Sequence, residues 1–534
     1  MFKSITASPY KPRLLVHRLA PPQAVPRQHD HPDLFTDHTP AARKMCSPME
    51  IDEPPTGMKD VPTELLHMIC GYLEPVDVKA FRLVNKTFAE IGATGYLLPS
   101  LSVRLSPSSF QQVEAIAEHP TISRYARELV LHGQNYTFPS RHWRFVTWVL
   151  REYMIELIEE GDDKFLRQNR DAIGHILYKH VEANPMEISR IYPYIGGVFT
   201  MNYFRPLIKQ HEEAVSWQNK MWDEELDLAI VSKAIKAMPL LRSITLAAET
   251  SRKDKSWGGM FGGMKTLNSP GLAAGVRQLG TLLIACRNAG TKFTSMELNC
   301  LSWRFFEHLQ KHDGLQLFRS AASCLTSFSL DLATFTLQDG VYENVEAVEC
   351  RLFLGGGVLG QLLRDMTNLQ HLQLSADSTV KCHRHDNLWI RLEDTTRGFV
   401  WPHLTSLTLK QIATQEESLV LSLGNHMPTL KELHLGSLLL SSGNWISAFR
   451  RIRKLILQHD LESLTISGCH YEQDSLGGSW YRFVTEYTSE ERPCGADCTP
   501  YTHNRKLEHY LMHGGQYPTG WRKSLLFADF DGDF

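Results

Sequence analysis

The carboxyl-terminal region contains a cluster of possible metal ligands. Cys494 and Cys498 are followed by His503, His509 and His513. Thiolates and imidazoles are the usual ligands of tetrahedral zinc, so these side chains would supply enough donors for one ion. The C-x-x-x-C spacing is loose and has no matching second half, and ordinary thiols in a tail explain the same residues. We therefore assign no metal ligands from the sequence.

A glycine-rich motif has the outline of a dinucleotide-binding site. Gly355-x-Gly357-x-x-Gly360 follows an apolar run, residues 352–354, and precedes a predicted helix. In dinucleotide-binding enzymes, such glycines let a pyrophosphate approach the amino end of a helix. This motif lies within a repeated region described below, where a glycine-rich turn between repeats accounts for it. A nucleotide-dependent oxidoreductase is therefore kept as an alternative, and no cofactor is expected.

The sequence lacks the common catalytic motifs. It has no nucleophile elbow, Walker loop or HExxH motif, each of which places a nucleophile, a phosphate or a metal in a defined local geometry. We therefore assign no catalytic residues, and we expect the chain not to be an enzyme in its own right.

Composition limits the partners and the compartment. The formal net charge is -3 over 534 residues, so there is no chain-wide positive field and nucleic acid is not expected as the main partner. The ten cysteines are mostly isolated and no secretory signal is visible, which is typical of a reduced intracellular protein. No uncharged run spans a bilayer comfortably. We expect a soluble, cytoplasmic or nuclear protein that binds no membrane.

The stretch Asp60–Phe88 predicts three short helices. Four apolar residues recur at helical spacing in the first of them: Leu65, Leu66, Ile69 and Leu73. Pro62 fits a first turn, and Pro75 biases the preceding residue away from helix. A second helix is predicted from about Asp77 and a third from near Asn85. Three such helices bury little surface, and segments of this size usually need a partner.

This segment resembles the F-box family. The matching residues are Val61-Pro62, Glu64-Leu65-Leu66, Ile69, Leu73, Asp77, the run Leu83-Val84-Asn85-Lys86, and Phe88. The family commonly has Leu at the position of Val61 and Cys or Ser at the position of Asn85. A small helical hairpin that packs on the rest of the protein is the alternative interpretation.

The resemblance implies a docking function. F-box segments insert apolar side chains into a groove of the Skp-type adaptor of cullin-RING ubiquitin ligases, and a few large anchors carry most of the energy of such contacts. Some of the candidate residues must instead hold the three helices together, and the sequence does not separate the two groups. The candidates for adaptor binding are Pro62, Leu65, Leu66, Ile69, Leu73, Val84 and Phe88.

From residue 241 onward the pattern L-x-x-L-x-L recurs, with apolar substitutes. Successive motifs begin 26 to 52 residues apart, which is longer and less even than the usual leucine-rich repeat of about 20 to 29 residues. Predicted helices separate them, such as Val276–Asn288, Leu359–Met366 and Trp445–Arg453. Repeated strand and helix units build a parallel sheet with outer helices. The motifs are 241–246, 293–298, 325–330, 369–374, 404–409, 430–435 and 461–466.

This region resembles the degenerate leucine-rich repeats found behind many F-boxes, and residues 126–131 fit a divergent first repeat. Alternation along each strand sends the residues between the core positions to the open face of the sheet. The resemblance implies that this face binds a target protein, although a solvated face would have the same composition. The candidates are Glu297, Asn299, Asp331, His371, Gln373, Lys410, Glu432 and His434. An ordinary α/β domain is the alternative.

The expected architecture is therefore α/β, with an N-terminal three-helix F-box, a helical segment and an irregular leucine-rich-repeat-like solenoid. Helices in the connecting region are predicted at Phe110–Glu118, Arg141–Glu159, Phe165–Val181 and Glu224–Ala237, with a strand within 126–133. The expected divisions are a disordered extension (1–57), an F-box-like domain (58–105), a mainly helical connection (106–240), the repeats (241–480) and a cap or tail (481–534).

The expected function is substrate recognition for an SCF-type ubiquitin ligase. The chain would dock on a Skp-type adaptor and hold an unknown protein target on the repeats, so that the ligase acts on the target by proximity. A non-ligase interaction scaffold is the alternative.

Overall fold

A computed structural model provides the structure of the chain. It divides into two units, and every element described below lies in the second, Pro62–Phe534. The structure describes residues 61–73, 75–93, 98, 100–133, 201–247, 275–311, 314–333, 337–338, 341–342, 345–376, 390–396, 398–468, 470–473, 480–484, 501–515 and 522–525. Of the sequence predictions, the extension 1–57, the helices 141–159 and 165–181, and Cys494 and Cys498 lie outside the described residues.

The described helices fall along the whole second unit. In chain order they are α1 (Thr63–Tyr72), α2 (Pro75–Phe81), α3 (Lys86–Ala93), α4 (Pro107–Glu118), α5 (Met201–Asp223), α6 (Leu226–Ala237), α7 (Val276–Ala289), α8 (Arg304–Lys311), α9 (Gly314–Ala322), α10 (Val345–Gly355), α11 (Val358–Asp365), α12 (Leu392–Thr396), α13 (Glu416–His426), α14 (Trp445–Gln458) and α15 (Tyr501–His513).

The described strands alternate with these helices. In chain order they are β1 (Ser100–Val103), β2 (Glu128–His132), β3 (Ser243–Ala247), β4 (Ser295–Ser302), β5 (Ser327–Ala333), β6 (Leu337–Gln338), β7 (Val341–Tyr342), β8 (His371–Ala376), β9 (Ile390–Arg391), β10 (Ser406–Lys410), β11 (Ile412–Gln415), β12 (Glu432–Gly436), β13 (Leu439–Ser442), β14 (Ser463–Ser467), β15 (His470–Gln473), β16 (Trp480–Val484) and β17 (Arg522–Leu525).

Helices α1, α2 and α3 form a small bundle, which we call the helical triplet. Asn85 caps α3, because its side-chain Oδ1 accepts a hydrogen bond from the backbone N–H of Phe88 at 2.9 Å. The rings of Phe81 and Phe88 stack with their centroids 4.3 Å apart. This pair joins the end of α2 to α3, so the third helix is held both by its cap and by an aromatic contact.

Nine strands form one fully parallel sheet, and the protein is α/β. The strand order is β1-β2-β3-β4-β5-β8-β10-β12-β14, so the strands of this sheet are neighbours in the order in which the chain visits them. All seven predicted L-x-x-L-x-L motifs lie in it. Leu407 and Leu409 of β10, for example, are in register with Leu433 and Leu435 of β12, and these apolar positions are buried.

The sheet starts upstream of the predicted boundary at residue 241. Strand β2 pairs with β3, as expected for a divergent first repeat, and β1 adds one more strand at the edge. The segment Leu98-x-x-Leu101-x-Val103 has the same apolar spacing as the later motifs. The sequence therefore carries the same apolar pattern for β1 as for the later strands.

The helices pack in a row on one side of this sheet. Successive neighbours include α6 against α7, α7 against α9, α9 against α11 and α13 against α14. The predicted helices in the repeats are close to those observed in α7, α11 and α14. The stretch from Tyr342 to Cys350 leads into α10. Its Cys350 and Leu354 are buried in the main core.

A second sheet was not predicted from the sequence. Its order is β17-β16-β15-β13-β11-β9, with parallel pairing from β9 to β15 and antiparallel pairing for β16 and β17. Several of its strands have only two to four residues, which is too short for alternation to be recognised. Strands β11 and β13, for example, each follow a strand of the main sheet and lead into a helix.

Helix α15 covers the carboxyl-terminal edge of the nine-stranded sheet. It packs against β14 and α14, and Leu507 and Leu511 are buried in the main core. The Glu508 carboxylate accepts a hydrogen bond from the backbone N–H of Ile466 at 2.7 Å. An exposed edge strand would otherwise offer such N–H groups to another chain.

Candidate interaction surfaces

The helical triplet divides the predicted adaptor-binding residues into two groups. Leu66 and Phe88 are almost completely buried within the triplet. Pro62, Leu65, Ile69 and Val84 are exposed, and Leu73 is half-buried. Leu66 and Phe88 therefore fit the group of candidates that was expected to hold the three helices together, because both side chains already pack among them.

A short core accounts for the buried group. Its members come from all three helices and are Leu66, Cys70, Val78, Phe81, Phe88 and Ile91. Leu66 and Cys70 are four residues apart, so they lie on one face of α1. Burial raises the pKa of the Cys70 thiol, which keeps this side chain neutral inside the triplet.

Helix α1 has a second apolar face. Leu65, Met68, Ile69 and Tyr72 follow the i, i+3, i+4, i+7 pattern and are all exposed, with Tyr72 at 90%. Val76 and Leu83, on the neighbouring helix and its following turn, are also exposed. Met68, Tyr72, Val76 and Leu83 were missed as candidates, although the helical spacing on α1 would have indicated the first two. We call Leu65, Met68, Ile69 and Tyr72 the α1 face.

The open side of the nine-stranded sheet is mostly polar. Strand register aligns one residue from each strand in a row. One such row is Ser102, Val130, Thr245, Glu297, Ser329, Gln373, Thr408, His434 and Thr465. Five of its nine members are Ser or Thr, and Val130 is the one apolar member.

Most of the predicted target-binding residues lie on this open side. Glu297, Gln373 and His434 share the row just described, while His371 and Glu432 share the row two residues earlier on their strands. Asp331 and Lys410 align with Ser375 between them. Asp331, however, is only 4% exposed, so little of its side chain is available on the open face.

Asn299 occupies an irregular part of strand β4. The register between β4 and β5 shifts between Leu298 and Leu301. The Asn299 side-chain amide donates a hydrogen bond to the Glu297 carboxylate at 2.8 Å. This hydrogen bond holds the two side chains together, and Glu297 gives this part of the strand a negative charge.

His434 and Ser467 form a hydrogen-bonded pair on the last two strands of the sheet. His434 Nε2 and Ser467 Oγ are 2.7 Å apart. Partial burial lowers the pKa of His434, and the positive charge of Lys410 lowers it further. His434 is therefore neutral at physiological pH, and Lys410 is close enough to influence it.

The glycine-rich motif does not have the geometry of a dinucleotide fingerprint. The apolar run 352–354 belongs to helix α10 rather than to a strand, and Gly355 is the last residue of that helix. Gly357 is the N-cap of α11, with a φ of 84°. A Cβ on Gly360 would lie 2.7 Å from the Asp394 carbonyl oxygen. The glycines thus serve a turn between two helices and a close helix contact.

No group of three or more His, Cys, Asp or Glu side chains that could hold a metal ion occurs among the residues that the structure describes. Of the candidate zinc ligands, His509 and His513 lie on α15 with ring centroids 5.0 Å apart. In the same part of the chain, no helix has both the length and the apolar character needed to cross a bilayer. Comparison with protein-family models and with curated proteins finds no match for this chain.

Proposed function

We propose that this chain is a substrate-recognition subunit of an SCF-type cullin-RING ubiquitin ligase. In this proposal the helical triplet is an F-box that docks on a Skp-type adaptor. The nine-stranded sheet is an irregular leucine-rich-repeat array that holds a target protein. The observation that carries the proposal is the α1 face, which the packing of the triplet leaves exposed.

The α1 face supports docking because α1 is apolar on two sides. The triplet buries one side through Leu66 and Cys70, while the other side presents Leu65, Met68, Ile69 and Tyr72 to solvent. A helix that is apolar all round is normally buried on all sides. Complete burial of one large apolar side chain stabilises a contact by about 1.5–3 kcal/mol. Several such anchors supply the binding energy of a helix-in-groove interface.

The polar open side of the sheet supports the second half of the proposal. Its hydroxyl, amide and charged side chains are suited to hydrogen bonding with a protein surface, and the sheet extends across nine strands. This chain would contribute no reacting group. It would raise the local concentration of target lysines near the catalytic partner of the ligase.

A binding assay with two matched variants tests the docking step. The full chain is immobilised and purified Skp-type adaptor is applied to the parent and to a Leu65→Asp, Ile69→Asp double variant. Both substituted residues are exposed, so the double variant should fold. We expect the parent to bind and the double variant to lose at least about thirtyfold in affinity, because hot-spot residues contribute 2 kcal/mol or more.

A Leu421→Asp variant is the control. Leu421 is also exposed, but it lies on α13 beside the repeats, so the same change of chemistry should leave adaptor binding intact. A parent that fails to bind the adaptor would contradict the ligase proposal and favour a non-ligase interaction scaffold.

A further inference from the structure

Side chains from three strands converge at Gly436 on the open side of the sheet. A Cβ on Gly436 would lie 2.8 Å from Ser467 Oγ, 2.9 Å from Lys410 Cγ and 3.7 Å from His434 Nε2. We propose that Lys410, His434 and Ser467 form a binding site for a carboxylate of an acidic segment in a partner protein. The inference rests on the proposed function, because the partner would be the target held by the sheet.

Gly436 makes this convergence possible. Lys410 and Ser467 lie on β10 and β14, in register on either side of Gly436 of β12. The backbones of these two outer strands are separated by two strand spacings, about 9.6 Å. Both side chains lean over the glycine, where any larger residue would push them apart. The result is a lysine stem, a hydroxyl and an imidazole within one small area, with the charge of Lys410 close enough to lower the pKa of His434.

Lys410 supplies a positive charge that the described residues leave uncompensated. In that part of the chain, Lys410 takes part in no salt bridge, unlike Lys431 on the next strand, whose Nζ is 3.3 Å from the Glu462 carboxylate. Lys410 is half-buried, and a lysine in such a position usually packs its stem on the protein and keeps its ammonium in water. The flexible stem that starts beside Gly436 would let this charge reach an anion bound there.

The His434–Ser467 pair supplies directed donors. His434 is neutral, and in its Nε2–H tautomer the ring donates a hydrogen bond to Ser467 Oγ across 2.7 Å. The Ser467 hydroxyl proton is then free to donate to an oxyanion. Hydrogen bonds to a charged acceptor are roughly twice as strong as those between neutral groups. The site therefore combines a charge contact with a directed hydrogen bond.

Backbone strain occurs directly after two of these strands. Gln411 and Ser437 have positive φ angles of 52° and 47°, and Gly468 occupies the equivalent place after β14 with a φ of 67°. Left-handed backbone is unfavourable at a residue other than glycine, because its Cβ crowds the following carbonyl oxygen. Such strain occurs preferentially at functional sites. It fixes the ends of β10 and β12, and with them Lys410 and Gly436.

The charge balance favours a carboxylate over a phosphate. One lysine with a neutral histidine provides a single positive charge, which a carboxylate neutralises. A phosphate monoester carries about 1.5 to 2 negative charges at pH 7, so part of its charge would remain unpaired. Glu432, two residues before His434 on β12, is exposed on the same side and repels a doubly charged phosphate more strongly than a singly charged carboxylate.

Fluorescence anisotropy with a labelled peptide of alternating Glu and Gly tests the site in the full chain at low salt. A peptide of alternating Gln and Gly is the uncharged reference. We expect the Glu peptide to bind the parent, and Lys410→Met to weaken binding by about fivefold, which corresponds to 1 kcal/mol for one accessible charge contact. The Gln peptide should not bind.

Lys454→Met is the control, because Lys454 is exposed on α14 and the substitution changes the net charge equally. The affinity of the Lys454→Met variant for the Glu peptide should stay within about twofold of that of the parent. Equal weakening by both substitutions, or no binding of the Glu peptide to the parent, would overturn the proposal. Tighter binding of a phosphoserine peptide that also depends on Lys410 would overturn the choice of a carboxylate.

Adaptor binding, measured on the same samples, separates this inference from the proposed function. Lys410→Met should bind the Skp-type adaptor as the parent does, because Lys410 lies on the sheet and the α1 face is unchanged. If the parent does not bind the adaptor, the ligase proposal alone is overturned. If the Lys410→Met substitution leaves the affinity for the Glu peptide unchanged, the carboxylate site alone is overturned.

Discussion

Leu65 and Leu66 are adjacent in the chain and lie in opposite environments. Leu66 is 2% exposed inside the helical triplet, whereas Leu65 is 44% exposed on the α1 face. One residue of helix turns the side chain by about 100°, which is enough to move it from the core to the surface. The two leucines therefore have separate roles, one in folding and the other, in our proposal, in docking.

This difference predicts opposite effects of the same substitution. Leu66→Ala should destabilise the triplet by about 2–5 kcal/mol, because it leaves a cavity among α1, α2 and α3. Leu65→Ala should change the stability by no more than about 0.5 kcal/mol, as surface substitutions usually do. Hydrogen exchange of residues 63–93 measures the local free energy of opening. Equal effects of the two variants would contradict the separation of roles.

Two helical glycines, Gly360 and Gly280, predict changes in stability of opposite sign when each is replaced by alanine. Gly360→Ala should destabilise the chain, because its Cβ would lie 2.7 Å from the Asp394 carbonyl oxygen and 2.9 Å from that of Thr395. Gly280→Ala should stabilise it by about 0.5–1 kcal/mol, because Gly280 lies within α7 with open space around it. Urea unfolding compares the two variants. Tolerance of Gly360→Ala would show that α11 and α12 are not in close contact.

The ion pair between Arg277 and the buried Asp227 carboxylate predicts a third effect on stability. Arg277 Nε and Nη2 each donate to a different Asp227 carboxylate oxygen at 2.9 Å, and Asp227 also accepts from the Thr281 hydroxyl. Arg277→Met should cost about 3 kcal/mol, because it leaves the buried carboxylate without its cation. In chemical unfolding, Arg319→Met should cost less than about 1 kcal/mol, since Arg319 pairs with Asp365 at the exposed surface. Similar losses in the two variants would contradict this account.

His470 predicts a dependence of stability on pH. Burial lowers the pKa of His470 from 6.5 to about 3, and the nearby His434 adds to the shift. Between these pH values the unfolded chain binds the proton and the folded chain does not. The free energy of unfolding therefore falls as the pH falls through this window, by up to about 1.4 kcal/mol per pH unit.

The matched variant for this effect is His470→Asn. His470 Nδ1 accepts a hydrogen bond from the backbone N–H of Leu438 at 3.3 Å, and the amide oxygen of Asn is also an acceptor but does not titrate. Chemical unfolding of both proteins at pH 7 and pH 5 should show a smaller loss for the variant. An unchanged loss would mean that other groups cause the acid sensitivity.

The amount of structure that the sequence predicts depends on the length of each element. The main strands were found because residues such as Leu407 and Leu409 alternate with polar residues and recur in every repeat. The second sheet was missed because strands such as β9, with two residues, are too short to show a period. Their pairing depends on the stacking of neighbouring repeats, which local sequence does not encode.

The candidate surfaces were predicted only as sets of residues. Sequence identified Leu65 and Leu66 together, because both fit an apolar helix, and only the packing of α2 and α3 against α1 separates them. Asp331 follows the same alternation as Lys410, yet it is buried. The convergence at Gly436 was not predictable, because it joins residues from three strands that the chain separates by helices.

Calorimetric titration of the Skp-type adaptor into the full chain, at several temperatures, tests the central claim most directly. We predict saturable binding with a negative heat-capacity change, because docking through the α1 face buries apolar surface. The Leu65→Asp, Ile69→Asp double variant should lose at least about thirtyfold in affinity, while Leu421→Asp should leave the affinity unchanged. The absence of binding by the parent, or an affinity that the double variant leaves unchanged, would contradict docking through this face.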